Sequence, residues 1–138
     1  MTRAPQKGDV LPELRRGPVQ RIDLVRYAGA SGDFNPIHTV ESFAREQGLG
    51  DVIAHGMLTM AYVGQLLTDF AGPGAFGRDF SVRFRAMVRP GDEIVCRGAV
   101  TEVTADAAGA TAACSVSAVN QNGETVVRGT AALRYPAP

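Results

Sequence analysis

The sequence predicts an α+β fold in which a curled antiparallel sheet wraps around one long central helix. Apolar residues recur at helical spacing in the first half of the chain, most densely in residues 56–71. From residue 80 onward the pattern changes to alternation, which is typical of half-buried strands. Helices followed by a meander of strands indicate the α+β class. The 138 residues are enough for one domain, 1–138, and too few for two.

The first half of the chain is predicted to hold a short strand and three helices. Residues 11–19 form the strand, which its prolines weaken. Residues 21–30 form a helix that the following glycines end. Thr39 is the predicted N-cap of a short helix, 40–47. The central helix, 56–71, has so few polar positions that we expect it to be buried nearly all round.

Four strands are predicted in the second half of the chain. A turn at 89–92 separates the first two, and Asn122-Gly123 between the last two is a strong hairpin signal. Small residues along the third strand would let a bulky element, such as the central helix or a second sheet, pack closely. The predicted strands cover residues 80–86, 93–103, 110–120 and 124–133.

Composition and charge exclude several function classes. The chain has 14 basic and 14 acidic residues, a balance that argues against nucleic-acid and membrane-surface partners. Residues 1–10 are polar and predict a loose arm rather than a signal peptide, and polar residues interrupt the longest apolar stretch. We therefore expect a cytoplasmic protein. Cys96 and Cys114 lie in strand-like runs without metal-ligand spacing, which predicts buried free thiols rather than a disulfide.

The segment from Ala28 to His38 combines the groups that proton transfer needs. It holds an acid, Asp33, and one of only two histidines, His38, with Asn35 and Pro36 between them. Acid–base catalysis needs a base, a proton donor and a group that fixes both. An aspartate in such a turn also caps backbone amides, and a histidine can simply precede a helix. The Asn-Pro turn favours catalysis because it places a second polar side chain inside the segment.

His55 and Gly56 stand at the predicted start of the central helix. Free backbone amides and the helix dipole favour negative charge at such a position. Gly56 has no side chain that would block a substrate oxygen, so the site meets the requirements of an oxyanion site for a developing enolate. The structural alternative is that Gly56 permits close helix–sheet packing and that His55 satisfies a buried neighbour.

Two motifs resemble the MaoC-like (R)-specific enoyl-thioester hydratases and dehydratases. Residues 27–38, Tyr-Ala-Gly-Ala-Ser-Gly-Asp-Phe-Asn-Pro-Ile-His, resemble the family signature. Residues 53–60, Ile-Ala-His-Gly-Met-Leu-Thr-Met, resemble the entry to its central helix. The pairing resembles especially the catalytic subunit of bacterial (3R)-hydroxyacyl-acyl carrier protein dehydratases. The resemblance implies the hot-dog fold over essentially the whole chain, and a dimer that holds an acyl thioester in a tunnel at the subunit boundary.

The resemblance also implies a reaction, the addition of water to a trans-2-enoyl thioester or the reverse dehydration of a (3R)-hydroxyacyl thioester. Asp33 and His38 would be the catalytic pair with one water between them, and the amides at the helix start would hold the thioester carbonyl. The sequence leaves open which of the two side chains transfers which proton. The predicted substrate-binding residues are Asn35, His55, Gly56 and Met57.

The predicted partners follow from the same resemblance. The thioester would be carried on coenzyme A or on an acyl carrier protein, and phosphate or carrier contacts are predicted for Arg83, Arg85 and Arg89 because guanidinium groups bind phosphate well. A solvated strand face explains these arginines equally well. No cofactor and no metal ion is expected. The second subunit would be another copy of the chain or a different hot-dog subunit.

Two other functions stay open on the sequence. One is a non-catalytic hot-dog subunit that binds acyl chains or completes another subunit's tunnel, although such a subunit needs neither Asp33 nor His38. The other is an acyl thioesterase, which would leave the Asp-x-Asn-Pro-x-His turn unexplained. The hydratase or dehydratase is therefore the preferred interpretation.

Overall fold

A computed structural model gives the fold of residues 5–137. The helices occupy the first half of the chain, and four of the five strands follow them. In chain order the elements are β1 (Val10–Arg16), α1 (Arg21–Ser31), a short 3-10 helix (Pro36–His38), α2 (Glu41–Glu46), α3 (Gly56–Ala71), β2 (Phe76–Phe84), β3 (Ile94–Asp106), β4 (Gly109–Val119) and β5 (Thr125–Pro136).

The five strands form one antiparallel sheet in the order β1-β3-β4-β5-β2. β3, β4 and β5 pair as successive hairpins, whereas β1 and β2 form the two edges. At the last hairpin the N–H of Asn120 donates to the carbonyl of Glu124 at 3.0 Å, and Gly123 adopts a φ of +76°. That backbone conformation favours glycine, so the Asn-Gly hairpin predicted from the sequence is confirmed.

The helix α3 packs against the inner face of this sheet. A Cβ atom added at Gly56 would lie 3.1 Å from the Phe84 ring, and one added at Gly64 would lie 3.7 Å from the Phe80 ring. The helix rises about 12 Å between these glycines, and β2 spans about 13 Å between these phenylalanines. β2 therefore runs alongside α3 in the opposite direction, from the far end of the helix to its start.

The predicted fold class is confirmed, because a curled antiparallel sheet surrounds one central helix. The bounds of α3 are those predicted, whereas β1 ends earlier than predicted, at Arg16, and β2, β3 and β5 are longer than predicted. β2 begins at Phe76 rather than at residue 80, and β3 continues to Asp106 rather than 103. The added residues are largely exposed, and backbone pairing does not require the apolar alternation on which the prediction rested.

Two local predictions are wrong. Thr39 does not cap α2, because Val40 occupies the N-cap position and Thr39 ends the preceding 3-10 helix. The helix α3 is not buried all round, because Met57 and Ala61 lie on a side that none of residues 5–137 covers. Cys96 and Cys114 are buried and free, as predicted. Among residues 5–137 no helix has the length and apolar character needed to cross a membrane.

Candidate active site

The segment that follows α1 is organised by its own polar side chains. Gly32 ends the helix with a φ of +74°. One carboxylate oxygen of Asp33, Oδ1, accepts a hydrogen bond from the N–H of Asn35 at 3.2 Å. The side-chain oxygen of Asn35 accepts one from the N–H of Ile37, also at 3.2 Å, and caps the 3-10 helix that Pro36 begins. These bonds fix the direction of the second carboxylate oxygen.

That second oxygen faces the imidazole of His38. Asp33 Oδ2 lies 3.7 Å from His38 Nε2, which is too long for a direct hydrogen bond. The other ring nitrogen, Nδ1, lies 2.7 Å from the carbonyl oxygen of Ile53. Because a carbonyl only accepts, Nδ1 carries the proton, and Nε2 of the neutral ring presents a lone pair. Two acceptors therefore face the same small space.

His55 lies behind this pair, with only 2% of its surface exposed. Its Nε2–H donates to the backbone carbonyl of Asp33 at 3.1 Å. Its ring stacks on that of His38 with the centroids 3.7 Å apart and an angle of 22° between the planes. Tyr27 packs edge-on against the His55 ring. His55 thus contacts both members of the pair, and its Nδ1 is buried without a hydrogen-bond partner among residues 5–137.

Asp33, His38 and His55 also form the kind of cluster that can hold a metal ion. One potential ligand atom from each lies within 4.8 Å of the others. A ring nitrogen directs its lone pair within the plane of the ring. The two stacked rings therefore direct their lone pairs along nearly parallel planes rather than towards one point. This geometry suits proton transfer better than metal coordination.

The first turn of α3 adds backbone donors to the site. His55 is the N-cap residue, with an extended backbone conformation, and the N–H of Leu58 returns to its carbonyl at 3.0 Å. The N–H groups of Gly56 and Met57 precede any possible intrahelical acceptor. Both residues are exposed. The helix start therefore presents two N–H groups at the positive end of the helix dipole.

Apolar side chains surround the helix start. Phe84 packs on Gly56 and is itself half exposed, and Phe34 and Met57 are more exposed still. Further along α3, between the helix and the beginning of β2, lies a cavity of about 240 Å³. Its walls are mostly apolar and include Leu67, Ala71, Phe76, Phe80, Ala131 and Leu133.

The three arginines predicted as phosphate or carrier contacts lie in different places. Arg89 is half buried, and its guanidinium donates to the carbonyl of Leu49 at 2.7 Å, so it supports the loop before α3. Arg83 and Arg85 are exposed and line a groove on the outer face of the sheet, away from α3. The structure therefore does not bring them together with Gly56.

Sequence reasoning missed two contributors to the site. The Ile53 carbonyl fixes the tautomer of His38. No side-chain pattern in the sequence could reveal this contact, because the acceptor is a backbone atom. Tyr27 packs against His55, and its only signal was its place at the start of the first motif. Asn35 and His55 lie beside Asp33 and His38, and their observed contacts are with neighbouring segments of the chain.

Comparison with known proteins agrees with the fold. The fold is that of the hot-dog proteins, with an acid–imidazole pair beside the start of the central helix. A family model, the MaoC like domain, matches residues 5–126. The chain therefore belongs to the MaoC-like family.

Two curated relatives and one solved structure illustrate the similarity. A 3-hydroxybutyryl-CoA dehydratase from Methylorubrum extorquens is 35% identical over 127 residues, which cover 91% of this chain and 79% of that protein. An (R)-specific enoyl-CoA hydratase from Rhodospirillum rubrum is 33% identical over 122 residues, covering 86% and 81%. An R-hydratase from Pseudomonas aeruginosa, solved without ligand, superposes with a TM-score of 0.84 at 28% identity, covering 96% and 83%. Enzymes with these names are hydro-lyases, and this chain is an enzyme of that class.

Proposed function

We propose that this protein adds water to trans-2-enoyl thioesters to give the (3R)-hydroxyacyl product, or catalyses the reverse dehydration, with Asp33 and His38 as the catalytic pair. The observation that carries the proposal is the 3.7 Å separation of Asp33 Oδ2 and His38 Nε2. Both atoms accept hydrogen bonds, and a water molecule has two protons to donate. A water beside both atoms would hold one of its oxygen lone pairs free for C3 of the substrate.

One water molecule supplies both the hydroxyl group added at C3 and the proton added at C2. As the water oxygen bonds to C3, one O–H bond breaks and its proton passes to Nε2 of His38. The electrons of the C2–C3 double bond move towards the thioester oxygen. The imidazolium returns its proton to C2 on the same face, while Asp33 stays ionised and holds the second proton of the former water. Dehydration is the same sequence in reverse.

Negative charge on the thioester oxygen is stabilised by the start of α3. The N–H groups of Gly56 and Met57 have no intrahelical acceptor, and the helix dipole adds to their effect. One such donor is worth about 3–4 kcal/mol to the transition state. Gly56 serves this role and also the packing of Phe84, because a Cβ would meet the Phe84 ring at 3.1–3.3 Å.

His55 and Asn35 act on the catalytic pair rather than on the substrate. His55 holds the Asp33 backbone through its Nε2–H and supports the His38 ring from behind. Asn35 caps the 3-10 helix that carries His38. We therefore assign both as positioning residues, which refines the substrate-binding role expected from the sequence.

The acyl chain would run from Gly56 along the side of α3 that faces β2. The 240 Å³ cavity on that side begins at Gly64, about 12 Å from the helix start. A crotonyl group ends well short of it, whereas a decenoyl group reaches it. The protein should therefore accept medium-length chains. Gly64→Val would narrow the cavity at Phe80 and should lower activity on decenoyl-CoA more than on crotonyl-CoA.

A second subunit is expected to complete the site. β2 is an edge strand, and Phe76 and Phe84 on it are half exposed, as is Met57 on the adjoining helix. Exposed apolar groups around an unpaired strand edge favour association. We propose a dimer through this edge. Sedimentation should give twice the mass of the chain, and a monomer that gains activity only with another hot-dog subunit would indicate a heterodimer.

The decisive experiment is hydration of crotonyl-CoA and decenoyl-CoA, followed as loss of absorbance of the conjugated thioester. The product should be the (3R) alcohol, and the same substrates on an acyl carrier protein would identify the preferred carrier. Release of free thiol without alcohol formation would instead indicate a thioesterase. Binding of both thioesters without turnover, alone or with a second subunit, would indicate a non-catalytic subunit.

A further inference from the structure

The outer face of the sheet, opposite α3, carries a row of arginines that the proposed reaction does not use. The strand register places Arg83 of β2 opposite Arg128 of β5, Arg128 opposite Ser117 of β4, and Ser117 opposite Arg97 of β3. We call these four residues the arginine row. Three strand spacings separate its ends, about 14 Å. Arg83, Arg128 and Arg97 are all exposed.

The arginine row has too few acids to balance it. Arg97 pairs with Glu13 at 2.5 Å. Arg83 and Arg128, and Arg85 nearby, have no ion-pair partner among residues 5–137. Like charges directly opposite each other on neighbouring strands destabilise a sheet. The Arg83–Arg128 pair is therefore unfavourable for the isolated chain. An anionic partner between the two guanidinium groups would replace this repulsion with attraction.

The neighbouring positions on the same face add hydroxyl groups and little bulk. Ser81, Thr130 and Ser115 form the next row across the sheet, which ends at Ala99. Together the two rows line an open groove of about 780 Å³. Its floor has hydrogen-bond donors, and no large apolar side chain rises from it. An anionic surface could approach the strands closely here.

We propose that the arginine row is a docking surface for an acidic helix of a partner protein. Small ligands are usually enclosed in concave sites, whereas this face is open and its arginines are exposed. Acidic side chains at positions i and i+4 of a helix lie about 5–6 Å apart. That spacing is close to the distance of about 4.8 Å between neighbouring strands. A helix laid across the strands can therefore place successive carboxylates on Arg83 and Arg128.

The charge balance of the chain supports a local protein contact rather than nucleic-acid binding. Acidic and basic residues are equal in number, so the chain as a whole lacks the excess of basic residues that nucleic-acid binding usually requires. The row also lies on the opposite side of the sheet from Asp33 and His38. The docking proposal can therefore be tested independently of the proposed reaction.

The test uses a fluorescent, helix-forming peptide with glutamates at every fourth position, and a control peptide of the same composition with the glutamates scrambled. The full-length protein should bind the ordered peptide more tightly, and added salt should weaken the binding. Arg128→Glu should weaken it roughly tenfold or more, since a repulsive pair replaces an attractive one. The matched control is Arg26→Glu, which makes the same charge change at an exposed arginine on α1. It should change the affinity by less than about twofold.

Thermal melting excludes a trivial loss of binding. Arg128→Glu places a carboxylate opposite Arg83, so its melting temperature should equal or exceed that of the wild type. If that variant melts lower, Arg128→Gln serves as the second variant and should still weaken binding. Three results would each overturn the proposal. They are an equal loss of peptide affinity in Arg26→Glu, equal binding of the ordered and scrambled peptides, and complete displacement of the peptide by pyrophosphate at the same concentration of charge. A sedimentation result in which copies of the chain bury this face against each other would overturn it as well.

Discussion

The two halves of the candidate active site differ in which atoms are proposed to do the chemistry. In the segment from Gly32 to His38 the proposed reacting groups are side chains, and local hydrogen bonds to the backbone orient them. At the start of α3 the proposed acting groups are backbone N–H groups, and a distant strand contributes Phe84 to their surroundings. Side-chain chemistry can therefore be inferred from residue spacing within one segment. Backbone chemistry depends on what the fold brings nearby.

The largest expected effect comes from removing the side-chain half. Asp33→Asn keeps the oxygen that accepts from the Asn35 N–H but replaces the acceptor facing His38 with a donor. His38→Ala removes the proton acceptor. Each should lower kcat by about 10²–10⁴-fold, measured as hydration of crotonyl-CoA.

The control for this pair is Asp69→Asn, the same chemical change at an exposed position on α3. It should leave kcat within a factor of about two. Melting temperatures of Asp33→Asn and the wild type should agree, because the capping bond survives. Full activity in either Asp33→Asn or His38→Ala would show that the pair is not catalytic.

The backbone half can be tested at a single atom. Gly56→Pro deletes the first free N–H of α3 at the position where helices accept proline. The extended backbone of His55 (φ −58°, ψ 131°) is the conformation that a following proline requires. Gly56→Ala is the matched control, because it adds the same Cβ against Phe84 and keeps the N–H. We expect Gly56→Pro to lower kcat about 10²–10³-fold relative to Gly56→Ala.

Equal activities of these two variants would mean that the Gly56 N–H does not contact the thioester oxygen. If both variants lose activity together, Gly56 is a packing glycine for Phe84. That outcome would favour the structural alternative for this position.

His55 connects the two halves, so its substitution measures how far they depend on each other. His55→Phe keeps a ring against His38 and removes the N–H that holds the Asp33 carbonyl. A misplaced catalytic group costs up to about 10²-fold in rate, so kcat should fall by about 10–100-fold with KM nearly unchanged. His55→Gln, which retains a donor, should recover part of the loss.

The kinetic pattern discriminates between two roles for His55. A raised KM with normal kcat would indicate the substrate contact expected from the sequence. A lowered kcat with normal KM indicates positioning. Unfolding by urea should show both variants within about 1–2 kcal/mol of the wild type, because at most the one hydrogen bond from Nε2–H to the Asp33 carbonyl is lost and the buried Nδ1 has no partner among residues 5–137.

Features that depend on neighbouring residues could be predicted from the sequence, whereas contacts between distant residues could not. The bounds of α3, the Asn-Gly hairpin and the Asp33–His38 pair follow from local periodicity and spacing, and the structure bears out the elements. The proximity of Phe84 to Gly56 joins residues far apart in sequence, so no local pattern contains it. The same holds for the cross-strand arginine row, which exists only once the register of four strands is fixed. The missed exposure of α3 has another cause, because an apolar helix looks the same whether its own sheet or a second subunit covers it.

The smallest expected effect concerns the buried core. It separates the pH dependence of the protein's stability from the pH dependence of catalysis. Burial raises the pKa of the Cys96 thiol from 9.0 to about 11. The unfolded chain therefore loses this proton at lower pH than the folded chain does. The stabilisation is complete below pH 9 and is lost as the pH rises towards 11, by roughly 1–3 kcal/mol.

Urea unfolding at several pH values between 8 and 11 measures this loss directly. Cys96→Ala should be less stable at pH 8, because a buried side chain has been shortened, yet its stability should fall less steeply above pH 9. Cys114, whose thiol pKa is also raised by burial, remains in that variant and accounts for a residual slope. If the slope is unchanged in Cys96→Ala, the alkaline loss of stability arises elsewhere in the fold. No hydrogen bond or ring contact joins either thiol to the Asp33–His38 pair, so the kcat of Cys96→Ala on crotonyl-CoA at neutral pH should stay close to that of the wild type. That result would show that the Cys96 thiol takes no part in catalysis.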